Sequence, residues 1–559
     1  MQHSNQNKDV WFIILTLFTL LFLLLGLGAS PLIDWDENIY AEASRQMVER
    51  GDYLNVYINN YPFAEKPPFF FWAESASYHL FGINEFAARF PSAMAGLFTV
   101  WLCYFFGRWL ESSRFGIMWG LIYLTSFLPG LFARSAVIDH TFNFFIMSAA
   151  FSLYAYDVGY GEFLSKRKAG KSCSSFRYWR MLTIASASMG MAVLTKGPLG
   201  GVIPLVGFVV YKWFYRTPKI SFFHFCYCAA LSLSIALSWY LVNWWIHGSQ
   251  FILGFIQFQQ SLFSKPLEGH HGPFYYHFAV AIVGLFPWTP FLLLFKLKLI
   301  PKEHPHIRPL LIFSAGWLAF VLVLFSLVTT KLPHYSASIY IPLSFIVAFC
   351  LEQFYQKQMP LPRWVIGIYL FLGGIFAVFL MLFPKLFEDF IEKQKIDFEL
   401  YWSNSIYISG IGLLLGILAG SIFLLKRKIW VATWVIALTM LVCTQGFWRF
   451  HVPIYLQYIQ QPLLEMVEEV HEKDSELVFY RYVSFAALFY GKRPIEMLHT
   501  YKFPGNPEIL NTTPEQDIYV ITENKYKKRL KREHPFVEFI KDQGLFSLFV
   551  LPKKSPSPD

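Results

Sequence analysis

Six short stretches of the chain carry side chains that could do chemistry. The densest is Asp34-Trp35-Asp36-Glu37-Asn38-Ile39-Tyr40-Ala41-Glu42. Acids at a helix start complement the helix dipole, which accounts for one or two of them. Several carboxylates beside a membrane are costly to desolvate and point to a site. Ala64-Glu65-Lys66-Pro67-Pro68 sets an acid and a base ahead of two prolines. The prolines suit the first turn of a helix; functionally, Lys66 suits a phosphate, with Glu65 binding a cation or holding the lysine. Ala136-Val137-Ile138-Asp139-His140 offers Asp139 as a helix cap or as a second acid. Leu194-Thr195-Lys196-Gly197-Pro198 and Thr330-Lys331-Leu332-Pro333-His334-Tyr335 each end an apolar run on a lysine. Snorkelling explains a terminal lysine, yet with Lys66 these two would also form a cationic pocket. Glu268-Gly269-His270-His271-Gly272-Pro273-Phe274-Tyr275-Tyr276-His277 presents adjacent imidazoles, which serve as metal ligands or as a polar loop. Taken together, the set suits a reaction with a hydroxyl nucleophile and a phosphate leaving group. It supplies a base for the hydroxyl and cations for the developing negative charge.

The elements that must position these residues are membrane helices. Of 559 residues, 55% are hydrophobic and 15% charged, against about 25% charged in soluble domains; the mean hydropathy is +0.40. An apolar run from about Val10 to Ser30 is too long for a signal-peptide core and reads as a retained span. Further runs centre near residues 97, 123, 147, 188, 206, 234, 284, 319, 345, 373, 415 and 438, each of roughly 17 to 25 residues, enough to cross the bilayer. The expected fold is therefore an α-helical polytopic membrane protein of about thirteen spans. The net charge of +10 lies largely in loops such as Lys166 to Arg180 and Lys426 to Lys428. With the N-terminus in the cytoplasm, these are cytoplasmic by the positive-inside rule, and all six motifs fall on the opposite side. That arrangement accounts for the basic charge without nucleic acid. Of the six cysteines only Cys173 lies outside an apolar stretch, so neither a disulfide framework nor a cysteine metal site is expected.

Two segments outside the membrane are long. Residues 31–85 form a first outer loop with helix-like stretches at Glu37–Arg50 and after Pro68. Residues 448–559 form a small α/β extracytoplasmic domain with strands expected at Glu476–Tyr482 and Asp517–Thr522, leaving 1–447 as the membrane domain. A lipid-linked-sugar transporter would share the spans, but no internal repeat is visible and the ionisable residues cluster at one face. A scaffold whose outer domain binds a partner is a third possibility.

At this point the motifs resemble a known family. The Asp-Glu pair followed by Tyr-Ala-Glu, then Glu-Lys-Pro, Thr-Lys-Gly, Gly-His…Gly-Pro…Tyr-Tyr and Lys-Leu-Pro…Tyr, is similar to the GT-C glycosyltransferases of the aminoarabinose transferase and protein O-mannosyltransferase superfamily. The resemblance implies a polyprenyl-phosphate sugar donor, undecaprenyl phosphate in bacteria. It implies a lipid, glycan or protein acceptor, an inverting displacement, and an active site on the periplasmic face of the inner membrane. It implies Asp36 as the catalytic base, with Glu37 beside it and Asp139 as a second acid. Lys66, Lys196, Lys331 and Tyr335 would serve the donor phosphate, and Glu65 with His270, or His271, would hold a divalent metal, zinc. Where the aminoarabinose transferases carry an arginine three residues after the catalytic Asp, this chain has Ile39. An apolar residue cannot contact phosphate, so a different acceptor pocket is expected. Within the enzyme class the alternative is a protein O-mannosyltransferase.

Overall fold

Proline, glycine and charge punctuate the apolar runs, and the helices begin and end at them. The computed structural model describes residues 2–172, 174–215, 217–264, 270–296, 305–394, 398–500, 502–503, 505–511 and 514–553. Glu268 and Gly269 of the histidine motif, and Cys173, lie outside the described residues.

Helix α1 (Gln2–Leu24) leads to the first outer loop. That loop holds α2 (Asp36–Arg50), the two-residue strands β1 (Tyr57–Ile58) and β2 (Tyr61–Pro62), and α3 (Phe69–Phe81). Gly51 ends α2 in the left-handed conformation, with φ 66°, which only glycine adopts without cost. The membrane part continues with α4 (Glu85–Leu110), α5 (Ser113–Leu124), α6 (Phe127–Phe132), α7 (Ile138–Lys168), α8 (Phe176–Lys196), α9 (Leu199–Phe214) and α10 (Phe222–His247). Then come α11 (Gln250–Ser264), α12 (Tyr276–Gly284), α13 (Ile307–Leu327), α14 (Tyr340–Gln356), α15 (Arg363–Lys393), α16 (Tyr407–Leu425) and α17 (Ile429–Gly446). Among the described residues, seven helices are long and apolar enough to cross a bilayer, and Val10–Leu24 and Leu199–Phe214 are shorter apolar helices.

Two of the expected spans are broken. The run near residue 123 divides into α5 and α6, where the Thr125 and Ser126 hydroxyls donate back to the carbonyls of Leu121 and Ile122. The run near 284 divides into α12 and a 3-10 turn at Thr289–Leu294, with a cis Phe286-Pro287 bond between. The two breaks meet, the Phe127 amide donating to the Phe286 carbonyl at 2.9 Å. Small residues let helices approach elsewhere: a Cβ on Gly107 of α4 would lie 2.5 Å from the Cα of Gly116 in α5. Close backbone contact of this kind is a main source of helix association in lipid, where apolar burial brings little.

The last membrane helix does not end at 447. It passes through a π-helical turn, Phe447–His451, into α18 (Val452–Ile459), and α19 (Gln461–Glu472) follows. Beyond it come β3 (Glu476–Tyr480), α20 (Phe485–Gly491), β4 (Glu496–Leu498), β5 (Ile518–Glu523), α21 (Lys527–Glu533), β6 (Glu538–Gln543) and β7 (Phe546–Leu551), and these five strands form one sheet. Its order is β4-β3-β5-β7-β6; β3 runs parallel to β4 and β5, and β7 antiparallel to β5 and β6. One buried cluster joins this unit to the first outer loop. It contains Ile39, Tyr40 and Met47 of α2 together with Met466, Phe479 and Phe485. The Asn59 side chain donates to the Ile495 carbonyl at 2.7 Å and accepts from its amide at 3.0 Å, which adds directional bonds to that contact.

Candidate active site

The first residue of α2 is Asp36, and its position is built by the residue on each side. Asp34 accepts hydrogen bonds from the Trp35 amide, from the Ser484 hydroxyl at 2.6 Å and from the Phe485 and Ala486 amides at 3.0 and 2.9 Å. It thus ties the loop to the start of α20. Trp35 is held at φ 75°, a conformation that costs an ordinary residue about 1–3 kcal/mol and persists only when its surroundings enforce it. Glu37 is buried. Its carboxylate accepts from Arg89 Nε and Nη2, each at 2.9 Å, and from the amides of Ile33 and Ala136 at 2.8 Å. Every one of these partners is structural, so Glu37 aims away from the cavity and holds α2, α4 and the approach to Asp139 in register.

Asp36 itself is 42% exposed and opens onto a cavity of about 590 Å³. Glu65, Lys66, Lys196, His270, His334 and Tyr335 share its lining. His334 Nδ1 stands 3.6 Å from Asp36 Oδ2. Asp139, buried in the first turn of α7, does not line the cavity; it forms an ion pair with Lys196 at the end of α8. Lys66 lies over the Phe258 ring of α11 at 4.6 Å, and Lys196 lies 5.3 Å from the Tyr335 ring. Burial holds the Lys66 ammonium down at about 8, offset by Glu65 and Asp36 and reinforced by Lys196 and Lys502. Tyr40 also lines the cavity. Burial first, then the charges of Asp36, Asp139 and Glu65, raise its phenol well above the ordinary value, so it stays protonated and can donate.

Besides Asp139, three residues singled out in the sequence stand off the cavity lining. Lys331 turns its ammonium back onto the carbonyls of Phe325 and Ser326 at 2.8 and 2.7 Å, capping α13. Its backbone amide donates to the His270 carbonyl at 2.9 Å, so it positions the histidine instead of facing the cavity. His271 is exposed and outside the lining, and Glu37 is engaged as described. Conversely, Tyr40 and His334 stood within motifs without a role, and Phe258 and Lys502 stood outside every motif. Lys502 comes from the C-terminal unit and reaches the cavity. A basic residue between two aromatics, Tyr501 and Phe503, was its one visible signal.

A second cavity of about 630 Å³ adjoins the first and shares Lys66, Lys196 and Tyr335 with it. Its remaining wall is mostly apolar, including Phe142, Leu199, Leu262, Leu324 and Val328. A polar chamber and an apolar groove therefore meet at two ammonium groups.

Glu65 and His270 line the same cavity, but the described residues contain no group of three or more His, Cys, Asp or Glu able to hold an ion. The Glu65 carboxylate already lies 3.4 Å from the Lys502 ammonium. A dication sharing it would meet a repulsion on the order of 8 kcal/mol at ~4 Å and an effective dielectric of about 20. Zinc sites ordinarily draw three or four protein ligands, and among the described residues Glu65 and His270 do not make up such a set.

Comparison with known proteins agrees with this architecture. Residues 13–259 match the family model of dolichyl-phosphate-mannose-protein mannosyltransferase. An uncharacterized protein of Aquifex aeolicus is 29% identical over 340 residues, 60% of this chain and 63% of its own length. The undecaprenyl phosphate-alpha-4-amino-4-deoxy-L-arabinose arabinosyl transferase of Edwardsiella ictaluri is 28% identical over 390 residues, 67% of this chain and 65% of its own length. The match thus spans a little under two thirds of either relative. The crystal structure of ArnT from Cupriavidus metallidurans bound to undecaprenyl phosphate superposes with a TM-score of 0.76 at 20% identity, over 97% of this chain and 98% of that one. This integral membrane chain is thus similar in sequence, over part of its length, to the protein mannosyltransferases and aminoarabinose transferases, and it shares the fold of the latter over nearly its whole length.

Proposed function

We propose that the chain is a glycosyltransferase that takes a sugar from a polyprenyl-phosphate donor and gives it to a hydroxyl acceptor at the periplasmic face of the inner membrane. The observation that carries this reading is the junction of the two cavities. A carboxylate, Asp36, lines a chamber that Lys66 and Lys196 also line, and a mostly apolar cavity adjoins it at those same lysines. A lipid phosphate matches that junction: its tail suits the groove and its anion the ammonium pair. Asp139 keeps Lys196 in place through their ion pair.

The acceptor hydroxyl gives its proton to the Asp36 carboxylate while its oxygen forms a bond to the anomeric carbon. The bond from that carbon to the phosphate oxygen breaks, and polyprenyl phosphate leaves with the electron pair. Lys66, Lys196 and Tyr335 receive the growing negative charge. A single displacement inverts the anomeric centre, and no step runs through a metal. Ile39 on the cavity wall gives an acceptor phosphate no partner, which favours a hydroxyl of a glycan, lipid or protein. The match to protein mannosyltransferases supports a protein acceptor as the second reading.

The test is Asp36→Asn in proteoliposomes supplied with labelled polyprenyl-phosphate sugars. Removing a general base costs about 10²–10⁴ in rate. Turnover at the wild-type rate with normal folding would remove Asp36 from the role. Mass spectrometry of envelope glycolipids and glycoproteins, with and without the protein, identifies sugar and acceptor.

A further inference from the structure

We propose that Lys502 of the C-terminal unit is a further donor-binding residue, that its ammonium takes the place a divalent cation would fill beside Glu65, and that donor binding by this chain needs no metal. The inference rests on the polyprenyl-phosphate reading given above.

Lys502 is built into the cavity. Its side chain is 12% exposed, and its ammonium lies 3.4 Å from Glu65 Oε1. Two rings flank it, Trp35 at 5.4 Å and Phe485 at 4.9 Å, at distances where a cation is attracted to the aromatic face. Thr500 Oγ1 accepts from the Phe503 amide at 3.2 Å and donates to the Phe503 carbonyl at 3.0 Å. The Phe503 ring packs 5.7 Å from Tyr61 and 6.2 Å from Phe485. Trp35, which flanks the ammonium, is the residue held at positive φ immediately before Asp36. The lysine is thus tied to the same loop that presents the base.

The charge balance explains its value. With Lys502 present, three ammonium groups (Lys66, Lys196 and Lys502) stand against the carboxylates of Asp36, Glu65 and Asp139. Without it, three carboxylates face two ammonium groups, and an incoming phosphate meets net negative charge. A lysine supplies a compact positive charge with three donors and requires no set of coordinating side chains. A cation covalently part of the chain also persists when metal is scarce.

The experiment measures undecaprenyl phosphate binding to the full-length protein in detergent, with EDTA and again with added zinc. It is done for wild type, Lys502→Met, Lys502→Gln and Lys502→Arg, with the melting temperature of each recorded. Wild type is expected to bind equally in EDTA and in zinc. The two neutral variants are expected to lose at least about tenfold in affinity, as for one charged hydrogen bond, while Lys502→Arg stays near wild type. The proposal is overturned if EDTA abolishes wild-type binding and zinc restores it, or if the folded neutral variants bind as wild type does. It is also overturned if folded Lys502→Arg fails as badly as Lys502→Met, because packing and not charge would then be at stake. Absence of any binding by wild type strikes the polyprenyl-phosphate reading itself, an outcome distinct from intact wild-type binding that ignores position 502.

Discussion

Lys66 lines the cavity, and its charge is set by that environment. Burial is the largest influence on it and brings its ammonium down to about 8. A phosphate binds the protonated form, so the sign is fixed: affinity is full below about 8 and falls as pH rises through it. One proton linked to binding gives a decline approaching tenfold per pH unit. Undecaprenyl phosphate titrations between pH 7 and 10 read this slope. Lys66→Arg, whose guanidinium stays charged throughout, is expected to flatten it, and Lys66→Met to bind weakly at every pH. At this scale the sequence was legible in one respect. Asp36, Glu65, Lys66, Lys196, His270 and Tyr335 come from distant stretches and line one cavity. It was silent on direction. Lys196 is the last residue of α8, whereas Lys331 lies four residues beyond α13 and folds its ammonium back onto that helix's carbonyls; Glu37, one residue from Asp36, points to Arg89. Adjacent helix positions differ by about 100°, and a motif written as letters does not record which face is buried.

Helices carry the site through a small number of buried polar ties, and Arg89 is the densest. Besides Glu37 it donates to the carbonyls of Leu27, Ser30 and Pro31 at 3.0, 2.8 and 2.9 Å, so one α4 side chain holds the exit of α1 and the start of α2. Breaking a buried ion pair by removing one partner costs about 3–5 kcal/mol. Arg89→Met is therefore expected to lower the melting temperature strongly and to reduce turnover, because Asp36 follows the same loop. Lys473→Met, which removes an exposed pair with Glu469, should leave melting nearly unchanged. An equal fall in both would refute the assignment. Helix placement was largely legible, since α2 and α3 stand where acid, glycine and proline put them. The broken spans were not: hydropathy reads Phe127 and Phe286 as continuous membrane, whereas hydroxyl back-bonding and Pro287 interrupt both. Of the strands, β3 and β5 are continuous apolar runs and were visible. The strand β6, Glu-Phe-Ile-Lys-Asp-Gln, lies at the sheet edge with four charged or polar residues, and its alternation is too weak to read alone.

Across the whole molecule, the C-terminal unit and the loop after α1 share one core at the place where chemistry is proposed. Ile39 and Tyr40 line the cavity and are also buried in the cluster that includes Met466, Phe479 and Phe485. The face of α2 that carries Asp36 is therefore supported from the C-terminal side. Asp34 ends its hydrogen bonds on Ser484, Phe485 and Ala486, and Leu32 and Asp34 bond Gln460. Deleting residues 460–559 removes all of these partners at once and exposes a row of apolar side chains along α2. Loss of activity alone would fit a scaffold that had merely misfolded, so the decisive measurement is local. Amide hydrogen exchange in residues 36–50 is expected to rise by orders of magnitude in the truncated chain, while the buried α14, which packs against α5 in a different cluster, keeps its protection. A truncated protein with unchanged exchange in α2 and unimpaired transfer would mean that the membrane helices position Asp36 unaided. A milder variant separates docking from folding: Asp34→Ala leaves the apolar core intact but removes the ties to α20. It should release the strain at Trp35, lower turnover and raise exchange in α2 only in its first turn. That graded response follows if the outer unit acts as a wall of the cavity, and a passive appendage would not produce it.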